Sequence, residues 1–401
     1  MTSETATPAG TRSPLRPVIP DVLAEHLEEH GFLCLQRRRL IFSTEFPLRR
    51  LPMHDERIAA HWDGLVIGAA DSVKLALEKL EGEEPWEIAT AARVWLELGK
   101  PAPAAVAEKL GAAPPAQASS WREALRQCPE DVVKAVLPAK SVAALPPHAL
   151  AVAVDALAWH GALPPTLAEQ AARHAATDVR AALARALPHA GLADAEPLLR
   201  VLLDDPEPAV SRRALWSAAM LAPESALDRA HRAARGPAPD AFALRLLGLL
   251  GGPDDHAALV TAAGTDTGRP AAFWAFADMG TDAAVESLIR LLTLPDPELA
   301  KTAGEALEDA VGSIARKDME VPPTPEEARE HWEDVREKLP GNARALRGQS
   351  LPWRGEAREE PLRWIWRAAL KRARAEAAWL RREVPDGFFE ALPASDARPG
   401  E

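Results

Sequence analysis

Tyrosine is absent from the 401 residues, phenylalanine occurs only eight times, and alanine is abundant throughout. Strands built from aromatic and β-branched residues are therefore poorly supplied, and helices are favoured. Cysteine is nearly absent too: Cys34 and Cys128 stand 94 positions apart with no CxxC. That excludes a disulfide framework and a cysteine zinc site, and it fits a reducing cytoplasm. No run reaches the roughly 18 apolar residues of a membrane span, and the polar first twenty residues hold no hydrophobic signal core. Basic charge is in deficit, with 47 Lys and Arg against 59 Asp and Glu, net −12 at pH 7. The molecule as a whole repels an extended phosphate backbone, so nucleic acid is not an expected partner. P-loop, G-x-S-x-G and G-x-G-x-x-G signatures are all missing, which leaves phosphate cradling and a serine-hydrolase elbow without support.

What is present is a period. From residue 148 an Ala-rich amphipathic segment returns as HALAVAVDALAWHG, DVRAALARALPHAG, PAVSRRALWSAAML, DAFALRLLGLLGG, RPAAFWAFADMG and PELAKTAGEALEDAVG, starting at His148, Asp178, Pro208, Asp240, Arg269 and Pro297. The spacings are 30, 30, 32, 29 and 28 residues, and shorter apolar segments such as AEPLLRVLL and AVESLIRLL lie between them. A period of this length is the mark of stacked helix pairs. The prolines punctuate it: Asp204-Asp205-Pro206 and Leu294-Pro295-Asp296-Pro297 end one helix and open the next, with Asp as N-cap. Gly191, Gly251 and Gly280 suit the position after a helix, where a positive φ is expected. Leu183, Leu187, Leu199, Leu215, Leu247 and Leu292 should be buried between the layers.

The expected architecture is an all-α solenoid of seven to eight helix pairs with distinct caps. Residues 1–18 read as a disordered tail, 19–83 as an N-terminal helical cap, 84–320 as the array, and 321–401 as a C-terminal cap with an Arg-rich helix and a short tail. The N-terminal cap divides into a helix from about Asp21 to Ile41, a loop over Ser43 to Pro52, and a helix from about His54 through Leu80. Residues 190–320 carry 12 basic and 21 acidic side chains, whereas 354–383 carry 9 and 5, so the middle is acidic and the end basic.

One motif invites a catalytic reading. His26-Leu-Glu-Glu29-His30 matches H-x-x-E-H, in which two histidines on one helical face bind zinc and the glutamate activates water. No distal ligand is identifiable, and a solvated helix face is the preferred reading, so neither a metal nor a cofactor is expected. A second segment, His54 to Leu65, places Ile58, Trp62 and Leu65 at helical spacing, with Arg57 and His61 on the face of His54 and Asp55 able to cap the helix. It reads as an N-capped helix with one apolar stripe, as an Asp/Arg/His network fixing the cap to the first repeat, or as a docking surface.

The Asp-Pro turn followed by Val and Arg, seen in DDPEPAVSRRA and, without its proline, in TDVRAAL, resembles the HEAT family and its short bilin-lyase-type variant over about residues 130 to 315. None of the 11 histidines precedes a glutamate, unlike the iron-binding hydroxylases with HEAT repeats. The runs EHLEEHGFLCLQRRR and MHDERIAAHWDGLVIGA, the Ala-rich array, and LRGQSLPW ahead of an Arg-rich helix together resemble a bacterial HEAT-repeat family. Genes of that family often lie beside those of type VI secretion spike proteins and their cargo. The signature positions are His26, Glu29, Asp55, Glu56, Arg57, His61, Asp63, Gly64, Leu65, Leu346, Arg347 and Gly348, and His30 departs from the small apolar residue expected there. The resemblance implies a secretion-related neighbourhood and no mechanism. The expected function is a cytoplasmic, non-enzymatic adaptor or chaperone for a spike component or effector, with an immunity protein against a co-encoded toxin, or a zinc hydrolase using the H-x-x-E-H motif, as alternatives.

A solenoid offers an extended concave surface, which suits a protein client. Candidate contacts are Asp55, Arg57, His61 and Arg347 on the caps, the turn acids Asp204, Asp205, Asp254, Asp255 and Asp296, and Trp216, Phe273 and Trp274 as apolar anchors. The Arg-rich terminal helix places Trp364, Trp366, Leu370, Ala377 and Leu380 on one side with guanidinium groups around them, as a cap or as a contact for an acidic partner.

Overall fold

The computed structural model describes residues 19–42, 51–236, 239–318, 320–339, 341, 344–346 and 348–351. Arg347, most of the loop before α2, and the Arg-rich segment after residue 351 lie outside the described residues. Helix α1 (Pro20–Phe42) and helix α2 (Leu51–Lys79) form an antiparallel pair at the N-terminal end. Eight further pairs follow: α3 (Pro85–Gly99) with α4 (Pro103–Ala112); α5 (Ala118–Gln127) with α6 (Glu130–Val136) and the short α7 (Ala139–Val142); α8 (Pro147–Trp159) with α9 (Pro165–Ala172); α10 (Thr177–Ala186) with α11 (Glu196–Leu203); α12 (Pro208–Leu221) with α13 (Pro223–Ala234); α14 (Ala241–Leu250) with α15 (His256–Ala263); α16 (Arg269–Met279) with α17 (Asp282–Leu291); and α18 (Pro297–Val311) with α19 (Pro325–Lys338).

The molecule is an all-α solenoid. The first helices stack in one layer, α3 on α5, α5 on α8, α8 on α10, α10 on α12, α14 on α16 and α16 on α18, while α12 and α14 touch only lightly and α13 bridges them. Proline opens ten of these helices within the first two positions, α3, α4, α8, α9, α11, α12, α13, α16, α18 and α19, where a missing N–H costs nothing. The expected aspartate cap is present on α18, where Asp296 accepts from the N–H groups of Glu298 and Leu299. At α12 the residue in that place is Glu207 without a side-chain bond; Asp205 instead accepts from the Glu207 N–H at 2.9 Å and faces Arg180.

All six leucines expected between the layers are buried. The first helices are buried on nearly every side: Phe242 through Leu250 on α14, and Ala149 through Ala158 on α8 apart from Ala151. Small side chains permit this. A Cβ on Gly248 would lie 2.2 Å from the carbonyl oxygen of Ala275, so α14 and α16 meet backbone to backbone there. Gly191 and Gly280 have the positive φ expected of them, 64° and 59°; Gly251 does not, at −68°.

Residues 344–351, expected as an irregular loop, contain a two-stranded antiparallel hairpin, β1 (Arg344–Leu346) and β2 (Gln349–Leu351). It is fixed by Arg344, whose fully buried guanidinium donates to the carbonyl oxygens of Leu249, Gly248, Met279 and Asp278. Those are the last turns of α14 and α16, whose carbonyls have no partner within their own helix.

Candidate functional site

Two regions gather the polar side chains singled out above. At the N-terminal end, α1 crosses α2 closely because Gly64 and Gly68 present no side chain: a Cβ would lie 2.6 Å from the His26 ring at Gly64 and 2.5 Å from Leu23 at Gly68. His26 thereby meets His61, with Nδ1 atoms 3.2 Å apart. Glycine 31 does the same for α3, where a Cβ would lie 2.5 Å from the Trp86 carbonyl oxygen, and His30 is driven into the junction. Its Nδ1 lies 3.0 Å from Thr90 Oγ1, its Nε2 lies 3.4 Å from Arg93 Nη1, and its ring tilts against Trp62. Burial first, then the charge of Arg93 and the neighbouring His61, lower its pKa to about 3. A neutral, enclosed imidazole with both nitrogens facing protein groups has no position for zinc, and the two histidines of the motif face different partners. Among the described residues no group of three or more His, Cys, Asp or Glu side chains is placed to hold a metal.

The segment around Asp55 also differs from its expected form. Helix α2 begins at Leu51, so Asp55 lies a turn inside it and pairs with Arg37 of α1 at 2.6 Å instead of capping the helix. His54 Nε2 meets the carbonyl oxygen of Leu33 at 2.9 Å. The cap meets α3 through His30, with Thr90 and Arg93, and through Trp62 beneath Arg93, whereas the Asp55–Arg37 pair ties α2 to α1 within the cap; Arg57 is exposed. Arg93 stacks 3.6 Å above the Trp62 ring and pairs with Glu97 at 2.7 Å.

That arrangement of carboxylate, guanidinium and indole recurs along the stack. Arg126 of α5 pairs with Asp155 of α8 and lies 4.8 Å from the Trp159 ring; Arg245 of α14 pairs with Asp278 of α16 and lies 5.4 Å from the Trp274 ring. Asp155 is shared with Arg185 of α10, so one carboxylate ties three successive first helices. Nothing local in the sequence marked these groups, whose partners lie 29 to 33 positions away.

In the turns of the middle array the acids fall into two kinds, with Asp204, Asp205 and Asp296 between helix pairs and Asp254 and Asp255 within one. Asp205 takes Arg180 of α10 at 2.6 Å, and Asp255 takes His231 of α13 at 2.6 Å and the Gly252 N–H at 2.8 Å. Both hold structure. Asp204, Asp254 and Asp296 are exposed; Asp204 pairs with Arg229, and Asp254 has no ion pair among the described residues. The Asp205–Arg180 contact ties α10 to the turn between α11 and α12. Residues 164–241 match the family of HEAT repeats. No curated protein matches the chain.

In this helical array the anchors Trp216 and Phe273 are not available to a client. Both are buried, at 1% and 0% exposure, because neighbouring helices cover the Ala-rich sides of α12 and α16 on which they sit. Trp274 remains half-buried beneath Arg245. Exposed apolar side chains of the array include Leu221 and Val260, which composition gave no reason to single out. No described helix is long and apolar enough to cross a membrane.

Proposed function

We propose that this chain is a non-enzymatic scaffold that holds a protein client through the acidic turns of its HEAT array. HEAT repeats commonly serve as protein-interaction scaffolds. The observation that supports this reading is the division of labour among the turn acids. Asp205 and Asp255 complete the fold, while Glu207 and Glu298, in the turns between helix pairs, and Asp254, in the turn within a pair, stand exposed without an ion pair among the described residues; Asp204, paired with Arg229, and Asp296, which caps α18, are exposed as well. A basic client segment fits such turns, because exposed charges of one sign steer an oppositely charged partner and fix its register. Leu221 and Val260 are exposed apolar side chains of the same array. The resemblance of the terminal signatures to the secretion-associated family supports a spike component or its cargo as the client, with an adaptor or chaperone role.

Affinity capture with the full chain, followed by mass spectrometry, tests the proposal. The expected product is a protein with a basic segment, lost on Asp254→Lys with Glu298→Lys. Capture unaffected by those changes would remove the acidic turns from the binding surface.

A further inference from the structure

The N-terminal end of the stack is unfinished. A terminal unit of a solenoid needs a polar outer face, yet Ile19 and Val22 on or just before α1, and Val66 and Ile67 on α2, are exposed at 61%, 42%, 43% and 81%. They belong to one surface. Leu23 packs on Gly68 where the two helices cross, which brings their chain neighbours Val22 and Ile67 together. Backbone strain lies in the same place: Ala69 has φ 45° and ψ −111° inside α2, and Ser72 Oγ donates to the Leu65 carbonyl at 2.7 Å across the kink. Unfavourable torsions of this kind persist where the surroundings over-determine them. Around the patch acids outnumber bases, with Glu28 paired to Lys79 at 3.0 Å. Residues 19–29 and 62–74 carry Asp21, Glu25, Glu28, Glu29, Asp63 and Asp71 against the single basic side chain of Lys74.

The complementary surface is written in the same chain. Residues 363–382 carry seven basic side chains and one acidic, with Trp364, Trp366, Leu370 and Leu380 among them. We propose that this C-terminal segment docks on the apolar, acid-rimmed N-terminal patch of a second copy, joining molecules head to tail. Docking on the patch of its own molecule would require the tail to run back along most of the array. The hairpin that precedes the segment sits on α16 and α18, and from Leu351 to Trp364 is 13 residues, at most about 45 Å when fully extended. From α16 back to α3 the first helices step six times, at about 8 to 10 Å each, and the patch lies beyond α3. A contact between unlike surfaces of identical chains propagates into a filament or closes into a ring. The proposal is independent of the client site, which lies in the turns of the middle array.

Two full-length variants test it by light scattering at increasing protein concentration, with circular dichroism as the check on folding. The patch variant is Val66→Glu with Ile67→Glu; the tail variant is Trp364→Ser, Trp366→Ser, Arg367→Glu and Arg374→Glu. The unaltered chain should grow in mass with concentration, and 500 mM salt should weaken that growth at least several-fold. Each variant alone should remain monomeric. Mixed, they should form a one-to-one complex and nothing larger, since one intact patch meets one intact tail. A monomeric unaltered chain, self-association of either variant alone, or a mixture that stays monomeric would each overturn the proposal.

Discussion

Among single residues, Asp155 has the largest responsibility for the stack. Burial alone would raise its pKa, but Arg126 and Arg185 outweigh that and hold it at about 2. A depressed carboxylate contributes stability above its unfolded value near 3.8 that is lost as pH falls toward 2. Asp155→Asn leaves two guanidinium groups in the interior without a counter-charge, and should cost about 3 to 5 kcal/mol in urea unfolding at pH 7. An unchanged midpoint would show that the arginines find other partners. His30 gives the opposite ionisation and the same sign in acid. It stays neutral in the fold down to about pH 3, while in the unfolded chain it protonates below about 6.5. Stability therefore falls as pH drops through that window, by about 2 kcal/mol between pH 7 and 5 from this residue alone. His189, lowered to about 4 by burial first and then by Arg126, adds a similar amount. Melting temperature should decline from pH 7 to 5, and His30→Gln should remove about half of the decline; a profile indifferent to that substitution would place the acid sensitivity elsewhere.

At the scale of helices and turns, one arginine from the hairpin completes the ends of two helices that are far from it in sequence. Arg344→Lys keeps the charge and loses the planar fork that reaches four carbonyls, so it should cost about 3 kcal/mol or more. Hydrogen exchange should show the loss first in the hairpin and the last turns of α14 and α16, and uniform exchange across the chain would mean that the hairpin is not a separate unit. The helix pairs themselves were legible, because amphipathic period, proline at helix starts and the leucine positions are local patterns that survive in any stack. Arg344 was not, since an arginine in a Gly- and Pro-rich stretch carries no periodic signal. Trp216 and Phe273 were misjudged for a related reason: the sequence shows an aromatic on an amphipathic helix, and only the packing shows that Ala-rich neighbours cover every side of it. The His26 and His30 motif was legible as a pattern and silent about where each ring points, which Gly31 and Gly64 decide.

For the molecule as a whole, the question is what a long acidic surface does beyond keeping the protein in solution. The middle array carries a net −9 over residues 190–320, yet its buried members cannot attract anything: Asp278 is spent on Arg245, Asp205 on Arg180, and Asp255 on His231. The steering field comes from the exposed remainder, and its hallmark is that it acts on encounter more than on the lifetime of the complex. Raising salt from about 50 to about 500 mM shortens the Debye length several-fold, so association with a basic client should slow at least several-fold while dissociation changes little. Reversal of Glu207, Asp254 and Glu298 to Lys should reproduce the slow association at low salt with an unaltered melting temperature, because these exposed side chains make no ion pair among the described residues. Asp255 must be left alone in that experiment; its loss would free the Gly252 N–H and His231 and confound binding with unfolding. Stopped-flow rates that ignore both salt and charge reversal would assign the acidic turns to solubility only, and the client would then have to be sought at the exposed cap side chains, starting with Arg57 and the half-buried His61.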